Sequence, residues 1–345
     1  MDERDLREAS ESLASIRRSI DEMRKIESAK PEPERIVIEP RSESDRESRS
    51  DSESIWATVE PYREPRGLWS RRPFWLVPAL LYVATWITTT GVGTLFYGGG
   101  SIWTGLLFSA PLMIILTCHE LGHYVQNRRY KIATTLPYFI PLPIPPLGTF
   151  GAIIQMKGVA PSVRAIFDVG ISGPLAGLAV TLVFMAIGLA NSTVVPIADV
   201  PATEGALIFG EPLIFQWAAR LILGYDPKVH ELLMHPTAIA AWVGILLTTL
   251  NLLPVGQLDG GHVFYALTGK RAKVLARIVF WCAAAGVVLF KLWNWTLLLV
   301  LVYFLGIAHP RVGGDQKLGL GRTILGWATL AFLVLGFTPK PLEVL

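Results

Sequence analysis

Charge is scarce over most of the chain, cysteine is nearly absent, and no apolar run opens the sequence. The 345 residues include 31 Lys and Arg and 28 Asp and Glu, 17% of the chain, against 51% hydrophobic residues. Of those 59 charges, 33 fall in residues 1–72, which leaves 26 for the other 273 residues. A soluble domain carries about 25% charged residues, so a density of roughly 10% excludes an ordinary water-exposed surface beyond residue 72 and assigns that region to a bilayer. Only Cys118 and Cys282 are present, both inside apolar runs, which excludes the disulfide framework of a small secreted domain. A net charge of +3 gives no basis for a nucleic-acid partner. Residues 1–30 lack the apolar centre of a signal peptide and carry acids as well as bases, so the tail is expected to stay on the side where it is made. The absence of a transit-like N-terminus favours a bacterial plasma membrane, with the N-terminus cytoplasmic.

What is present divides the chain at residue 72. In the charged tail, Leu6, Leu13 and Ile20 recur every seven residues, with Ala9, Ile16 and Met23 three positions after each. This heptad pattern over 6–26 fits a short coiled coil that pairs two copies, or a solvated and partly helical arm, because three heptads are few. Residues 30–54 are rich in Ser, Glu and Arg and read as a disordered linker. From 73 to 345, apolar stretches long enough, or nearly so, to cross about 30 Å of hydrocarbon run over 74–97, 102–126, 165–190, 236–256, 275–290, 292–309 and 320–338. The fold class expected is an all-α polytopic membrane protein with six to seven transmembrane helices. Arg71 and Arg72, Arg128 and Arg129, Lys270 to Arg277, and Arg311 to Arg322 all fall on one side of that arrangement. Segment 191–235, with five acids against Arg220 and Lys228, falls on the other. Within it, 212–224 suits a helix lying at the membrane surface.

Two stretches depart from the apolar pattern. Residues 134–158 hold prolines at 137, 141, 143, 145 and 146, which exclude a helix, and 150–156 reads as a strand. Such a short membrane-associated β and Pro-rich segment offers an edge for an extended peptide, or is a cytoplasmic loop with an ordinary hairpin. The second is His119-Glu120-Leu121-Gly122-His123, at the end of the second span. On a helix, positions 119 and 123 share a face, so both imidazoles reach one metal ion while Glu120 sits beside a metal-bound water. Ionisable groups in a membrane helix are costly and usually face a functional cavity.

A catalytic zinc takes three protein ligands and an open position. The third has two candidates in Asn251-Leu-Leu-Pro254-Val-Gly256-Gln-Leu-Asp259-Gly260-Gly261-His262, where an apolar helix runs into Pro and three Gly. Broken backbone at membrane depth is tolerated only when it is buried in protein or lines a cavity, which makes this a good place to aim the Asp259 carboxylate; His262 is the rival. Asp168 reads more simply as a helix N-terminal residue. Gly173 and Gly177 form a small-residue face for close helix packing. His230, His235 and His309 fall in or beside loops, where solvated histidines are the ordinary reading.

With HELGH at 119–123 and NLLPVGQLDGGH at 251–262, the sequence resembles the site-2 protease family of intramembrane zinc metalloproteases. It is most similar to the group shared by bacteria and plant chloroplasts that carries no inserted PDZ domain. The resemblance covers most of 73–310 and includes Gly173-Pro174-Leu-Ala-Gly177. It implies that 73–345 is a transmembrane metalloprotease domain holding one zinc ion per chain on His119, His123 and Asp259, with Glu120 as general base. It places Asn251 near the bound peptide, where its amide bonds substrate or oxyanion, or else makes an interhelical contact. The partners implied are a transmembrane protein substrate and the lipid bilayer, with self-association through the tail as a further expectation. A membrane metal transporter and a metal-binding scaffold are the readings from other classes.

Overall fold

The computed structural model describes residues 73–97, 99–157, 160–199, 207–306 and 318–344. The N-terminal tail, with its heptads and linker, lies outside the described residues, as do His309, Arg311 and Lys317.

Helix α1 (Leu76–Val92) continues through a π-type turn (Gly93–Tyr97) and reverses into α2 (Ile102–Arg129). The reversal is close because Gly93 and Gly105 lack side chains: a Cβ on Gly105 would come within 2.7 Å of the Thr90 carbonyl oxygen. The 28 residues of α2 extend about 42 Å at 1.5 Å per residue, more than the roughly 30 Å of a hydrocarbon core, and Arg128 and Arg129 form its last turn. A Pro-rich stretch follows, with strands β1 (Ala133–Thr134), β2 (Tyr138–Pro141), β3 (Thr149–Ile153) and β4 (Met156–Lys157). The Ser162 hydroxyl then caps α3 (Val163–Ala190) by accepting the Ala165 N–H at 3.1 Å.

Beyond α3 come β5 (Thr193–Pro196), β6 (Leu207–Phe209), the amphipathic helix α4 (Leu213–Leu223) and β7 (His230–Leu233). Helix α5 (Pro236–Asn251) follows, with Pro at its first position and the His235 ring accepting the Thr237 N–H. Helices α6 (Asp259–Thr268), α7 (Ala272–Leu289), α8 (Thr296–Leu305) and α9 (Leu320–Gly336) and strand β8 (Leu342–Val344) complete the chain. Helix α3 is the centre of the bundle and packs against α2, α5 and α6. The core lies where these meet: Phe108, Leu112, Met113, Leu189, Trp242 and Ile245 are fully buried.

Several sequence expectations are refined. Among the described residues, four helices, Leu76–Tyr97, Ile102–Arg129, Val163–Ala190 and Ala272–Leu289, are each long and apolar enough to cross a membrane, and the other expected spans correspond to shorter apolar helices. The span expected over 236–256 ends at Asn251, because Pro254 has no N–H and disfavours helical backbone at Leu253. The described residues are mostly helical, and their short strands pair antiparallel as β1–β4, β2–β3, β5–β7 and β6–β8, so strands occur beyond the expected Pro-rich segment as well. The strand read over 150–156 is two strands, β3 on β2 and β4 on β1. Pro137 separates β1 from β2 and cannot donate to a ladder, so the partner changes there.

The α3–α5 crossing provides a test. A Cβ on Gly188 would lie 2.3 Å from the Ala238 backbone nitrogen, whereas one on Gly286 of α7 meets nothing within 4 Å. Gly188→Ala is expected to destabilise the fold by about 1–3 kcal/mol in a denaturant titration in detergent micelles, as overpacking does. Gly286→Ala is expected to be neutral or stabilising by up to about 1 kcal/mol.

Candidate metal centre

Two imidazoles and one carboxylate converge where α2, α3 and α6 meet. His119 and His123 lie one turn apart on α2, 6% and 8% exposed, with their Nε2 atoms 3.2 Å apart. Each Nε2 is also 3.2 Å from Oδ2 of Asp259, the first residue of α6. These three side chains form the group of metal-capable residues among the described residues, and His262 lies beside it without joining it. The sequence leaves Asp259 and His262 as rivals, and the structure brings Asp259 into the triangle.

Hydrogen bonding indicates what that triangle can hold. His123 Nδ1 lies 2.9 Å from the Val169 carbonyl oxygen, which can only accept, so Nδ1–H donates. In the neutral ring His123 Nε2 then carries a lone pair, directed at a carboxylate oxygen and at a second Nε2. A cation between the three atoms can take that lone pair together with the Asp259 oxygen and the His119 Nε2. Zinc bonds of about 2.0–2.2 Å at tetrahedral angles set ligand atoms about 3.4 Å apart, close to the 3.2 Å edges found here. The Val169 carbonyl supplies the outer partner that fixes ring orientation at metal-binding histidines. Two imidazoles and a carboxylate also match the donor set of catalytic zinc sites, so the residues fit the metal.

The local sequence explains why Asp259 arrives at this position. After Asn251 the chain turns back on itself through Pro254 and Gly256, whose φ is +60°. Helix α6 then starts against the carbonyls it has just left. A Cβ on Gly260 would be 1.9 Å from the Leu252 oxygen, and one on Gly261 2.5 Å from the Gly256 oxygen, so both must be glycine. Helix α3 makes the matching concession: Cβ atoms on Gly170, Gly173 and Gly177 would lie 2.8 Å from His262 Cβ, 2.0 Å from His123 Nε2 and 3.1 Å from His119 Nδ1. The face of Gly173 and Gly177 is therefore a seat for the imidazoles. Its role in helix packing is legible in the sequence, while its contact with the ligands is not.

Glu120, 5% exposed, shares a cavity of about 180 Å³ with His119, His123, Asn251, Asp259 and His262. Asn251, the last residue of α5, places Nδ2 3.3 Å from His119 Nε2. A metal that takes the Nε2 lone pair releases this amide for another acceptor. Ala152, Ile153, Ile154 and Met156, from β3 through β4, form another wall. Strand β3 pairs with β2 on one edge and has no strand partner on the other among the described residues. Helix α4 contributes nothing to this lining among the described residues.

Three other readings change. Asp168 is not a simple helix N-terminal residue: it accepts from Arg322 Nε and Nη2 at 2.8 and 2.9 Å and from the Tyr130 hydroxyl, which ties α9 to α2 and α3. Arg322 is 154 residues away, so no local pattern signals the pair. His230 and His235 are not merely solvated, since each ring accepts a backbone N–H, from Asp226 and Thr237 respectively.

The sequence matches Peptidase family M50 over residues 107–292, which holds both motifs. It is 38% identical over 161 residues to "Probable zinc metalloprotease EGY1, chloroplastic" of Arabidopsis thaliana, covering 46% of this chain and 29% of that protein. The EGY1 protein of Oryza sativa subsp. japonica is 35% identical over 162 residues, 47% of this chain and 28% of the relative. "Probable zinc metalloprotease EGY2, chloroplastic" of Arabidopsis thaliana is 31% identical over 168 residues, 48% and 29% respectively. The chain thus spans less than a third of the length of these curated relatives. Their compartment overturns the expectation of a bacterial plasma membrane, which rested on the character of residues 1–30.

The glycine seat makes the metal site testable. Gly173→Ala is expected to lower zinc affinity at least about tenfold, measured by competition with a chromophoric chelator, because the new Cβ occupies the position of His123 Nε2. Gly177→Ala, with contacts of 3.1 Å, is expected to have the smaller effect.

Proposed function

The chain belongs to peptidase family M50, the site-2 protease family, and from that premise we propose that it is an intramembrane zinc metalloprotease, hydrolysing a peptide bond in or near a transmembrane segment of another protein. The observation that carries the proposal is the His119–His123–Asp259 triangle, its two imidazoles buried near the end of an apolar 28-residue helix, with Glu120 in the same cavity. The transporter and scaffold readings lose support because the family is one of peptidases. The relatives' compartment points to a plant chloroplast membrane. The shorter helices α5 and α9, of 16 and 17 residues, bring the four long helices to six spans, and α8 would make a seventh; α5 is enclosed by protein, so its length need not match the hydrocarbon. Residues 73–345 form the protease domain, and 1–72 a charged tail outside the bilayer.

His119 and His123 Nε2 and Asp259 Oδ2 would hold zinc, one ion per chain. When bound, zinc lowers the pKa of a water it holds to about 7 and polarises the scissile carbonyl. The Glu120 carboxylate accepts a proton from the attacking water and delivers it to the leaving amide nitrogen, a role worth about 10²–10⁴ in rate. The Asn251 Nδ2–H donates to the carbonyl oxygen as negative charge develops there. An intact substrate helix hides its carbonyls in hydrogen bonds, so the substrate must be extended at the scissile bond. The free edge of β3 beside the cavity supports pairing with such a strand. Because His119 and His123 lie near the basic end of α2, cleavage falls in the half of the bilayer on the side of Arg128 and Arg129.

The test uses the zinc-loaded full chain in liposomes and synthetic transmembrane peptides with and without a central Asn-Pro helix breaker. Mass spectrometry of the products is expected to find cleavage by the wild type, faster with the breaker present. Glu120→Gln, with equal zinc content, is expected to be at least about 100-fold slower. Normal cleavage by zinc-replete Glu120→Gln would refute the assignment of the base, and no cleavage of any peptide by the wild type would refute the function.

A further inference from the structure

Asn127 lies on α2 one turn beyond His123, so His119, His123 and Asn127 share one helix face at intervals of four. It is 1% exposed and lines the same cavity as the metal ligands and β3. Its Oδ1 is the one buried side-chain nitrogen or oxygen among the described residues with no hydrogen-bond partner. Leaving such an acceptor unmet is costly, and the cost is met by no other residue described around it. A buried, unsatisfied acceptor in the wall of a reaction cavity is one that a ligand can complete.

The chemistry of the ligand follows from the strand that the cavity would receive. An extended peptide paired with β3 satisfies one of its edges, and its other edge carries N–H and C=O groups into a place without bulk water. Each of those groups costs several kcal/mol if left unpaired. The enzyme must therefore offer partners opposite β3. A carboxamide, which both accepts and donates, suits a peptide edge, and two buried or half-buried asparagines, Asn127 and Asn251, line the cavity. Asn251 sits beside His119, at the reacting carbonyl. Asn127 is one helical turn further along α2 than His123, about 6 Å, which an extended chain covers in about two residues.

Resting on the proposed protease function, we propose that Asn127 Oδ1 accepts a hydrogen bond from a main-chain N–H of the substrate, about two to three residues from the scissile bond, on the edge turned away from β3. Asn127 is then a substrate-holding residue that registers the strand over the metal. It favours extended substrates because the same N–H in a helix is already bonded.

The experiment is a double-mutant cycle with zinc-loaded full chain and a synthetic transmembrane peptide that the wild type cleaves. Single backbone esters, which replace one N–H by oxygen, are placed at successive positions within four residues of the scissile bond. Asn127→Leu is expected to lower kcat/KM about tenfold at unchanged zinc content. One ester position is expected to cost the wild type a similar factor and to cost Asn127→Leu nothing further. Asn127→Ala, which removes the amide without adding bulk, is measured in parallel and is expected to behave alike, so a packing defect in one variant does not decide the outcome. Unchanged kcat/KM in both variants, or losses that multiply at every ester position, would overturn the proposal while leaving the protease function intact. A wild type that cleaves no peptide would overturn both.

Discussion

The contact on which the site depends is that between two imidazoles and two glycines. Metal ligands on one helix can meet a carboxylate on another only if the intervening backbone comes close, and α3 is that backbone. With no side chain at Gly173 and Gly177, its surface lies against the rings of His123 and His119, and its Val169 carbonyl orients one of them. At Gly170 the same helix meets His262 and the Asp259 carbonyl, so one glycine face brings α2 and α6 to a common centre. Distances of 3.2 Å among three ligand atoms follow from helix crossings, and no flexible loop is needed to supply a ligand. A site held within fractions of an ångström requires this kind of support.

The same crossings account for what the sequence does and does not reveal. The spacing of His119, Glu120 and His123 carries its meaning locally, because a helix places positions four apart on one face. Asp259 is legible for a different reason: Pro254 and its neighbouring glycines break an apolar helix where broken backbone needs a cause. The contact of Gly173 with His123 has no local signature, since small residues at this spacing also serve plain helix packing. The Asp168–Arg322 pair joins residues 154 apart, and a charge near a helix start looks the same with or without that partner. Length misleads in α5, which protein encloses almost completely, so the hydrocarbon thickness does not set where it ends.

The β segment shows how backbone chemistry shapes access to the cavity. Prolines keep residues 134–157 from forming a helix, and Pro137 divides them into two short ladders. Short strands leave unpaired groups, a liability at the edge of any sheet and a greater one where water is sparse. Here β3, with one edge that has no strand partner among the described residues, lines a cavity whose other walls carry imidazole, carboxylate and carboxamide groups. That combination is poorly suited to apolar packing and well suited to a peptide backbone, which has polar groups on both edges and must be held while one bond is attacked.

Scarcity of charge acquires a definite meaning once each acid has a place. Of the ten acids beyond residue 72, five belong to segment 191–235, and Asp315 and Glu343 lie near the C-terminus. Only Glu120, Asp168 and Asp259 belong to the bundle. Asp168 is neutralised by the two-pronged contact with Arg322. Glu120 and Asp259 face imidazoles instead, groups that can hold a cation jointly with a carboxylate. A carboxylate enclosed in an apolar bundle is sustained by an opposite charge, by hydrogen bonds or by taking up a proton. For Asp259 the triangle of donors supplies the first condition when a metal is bound. Glu120 lines the same cavity without joining the triangle, so its oxygens remain available to whatever that cavity receives.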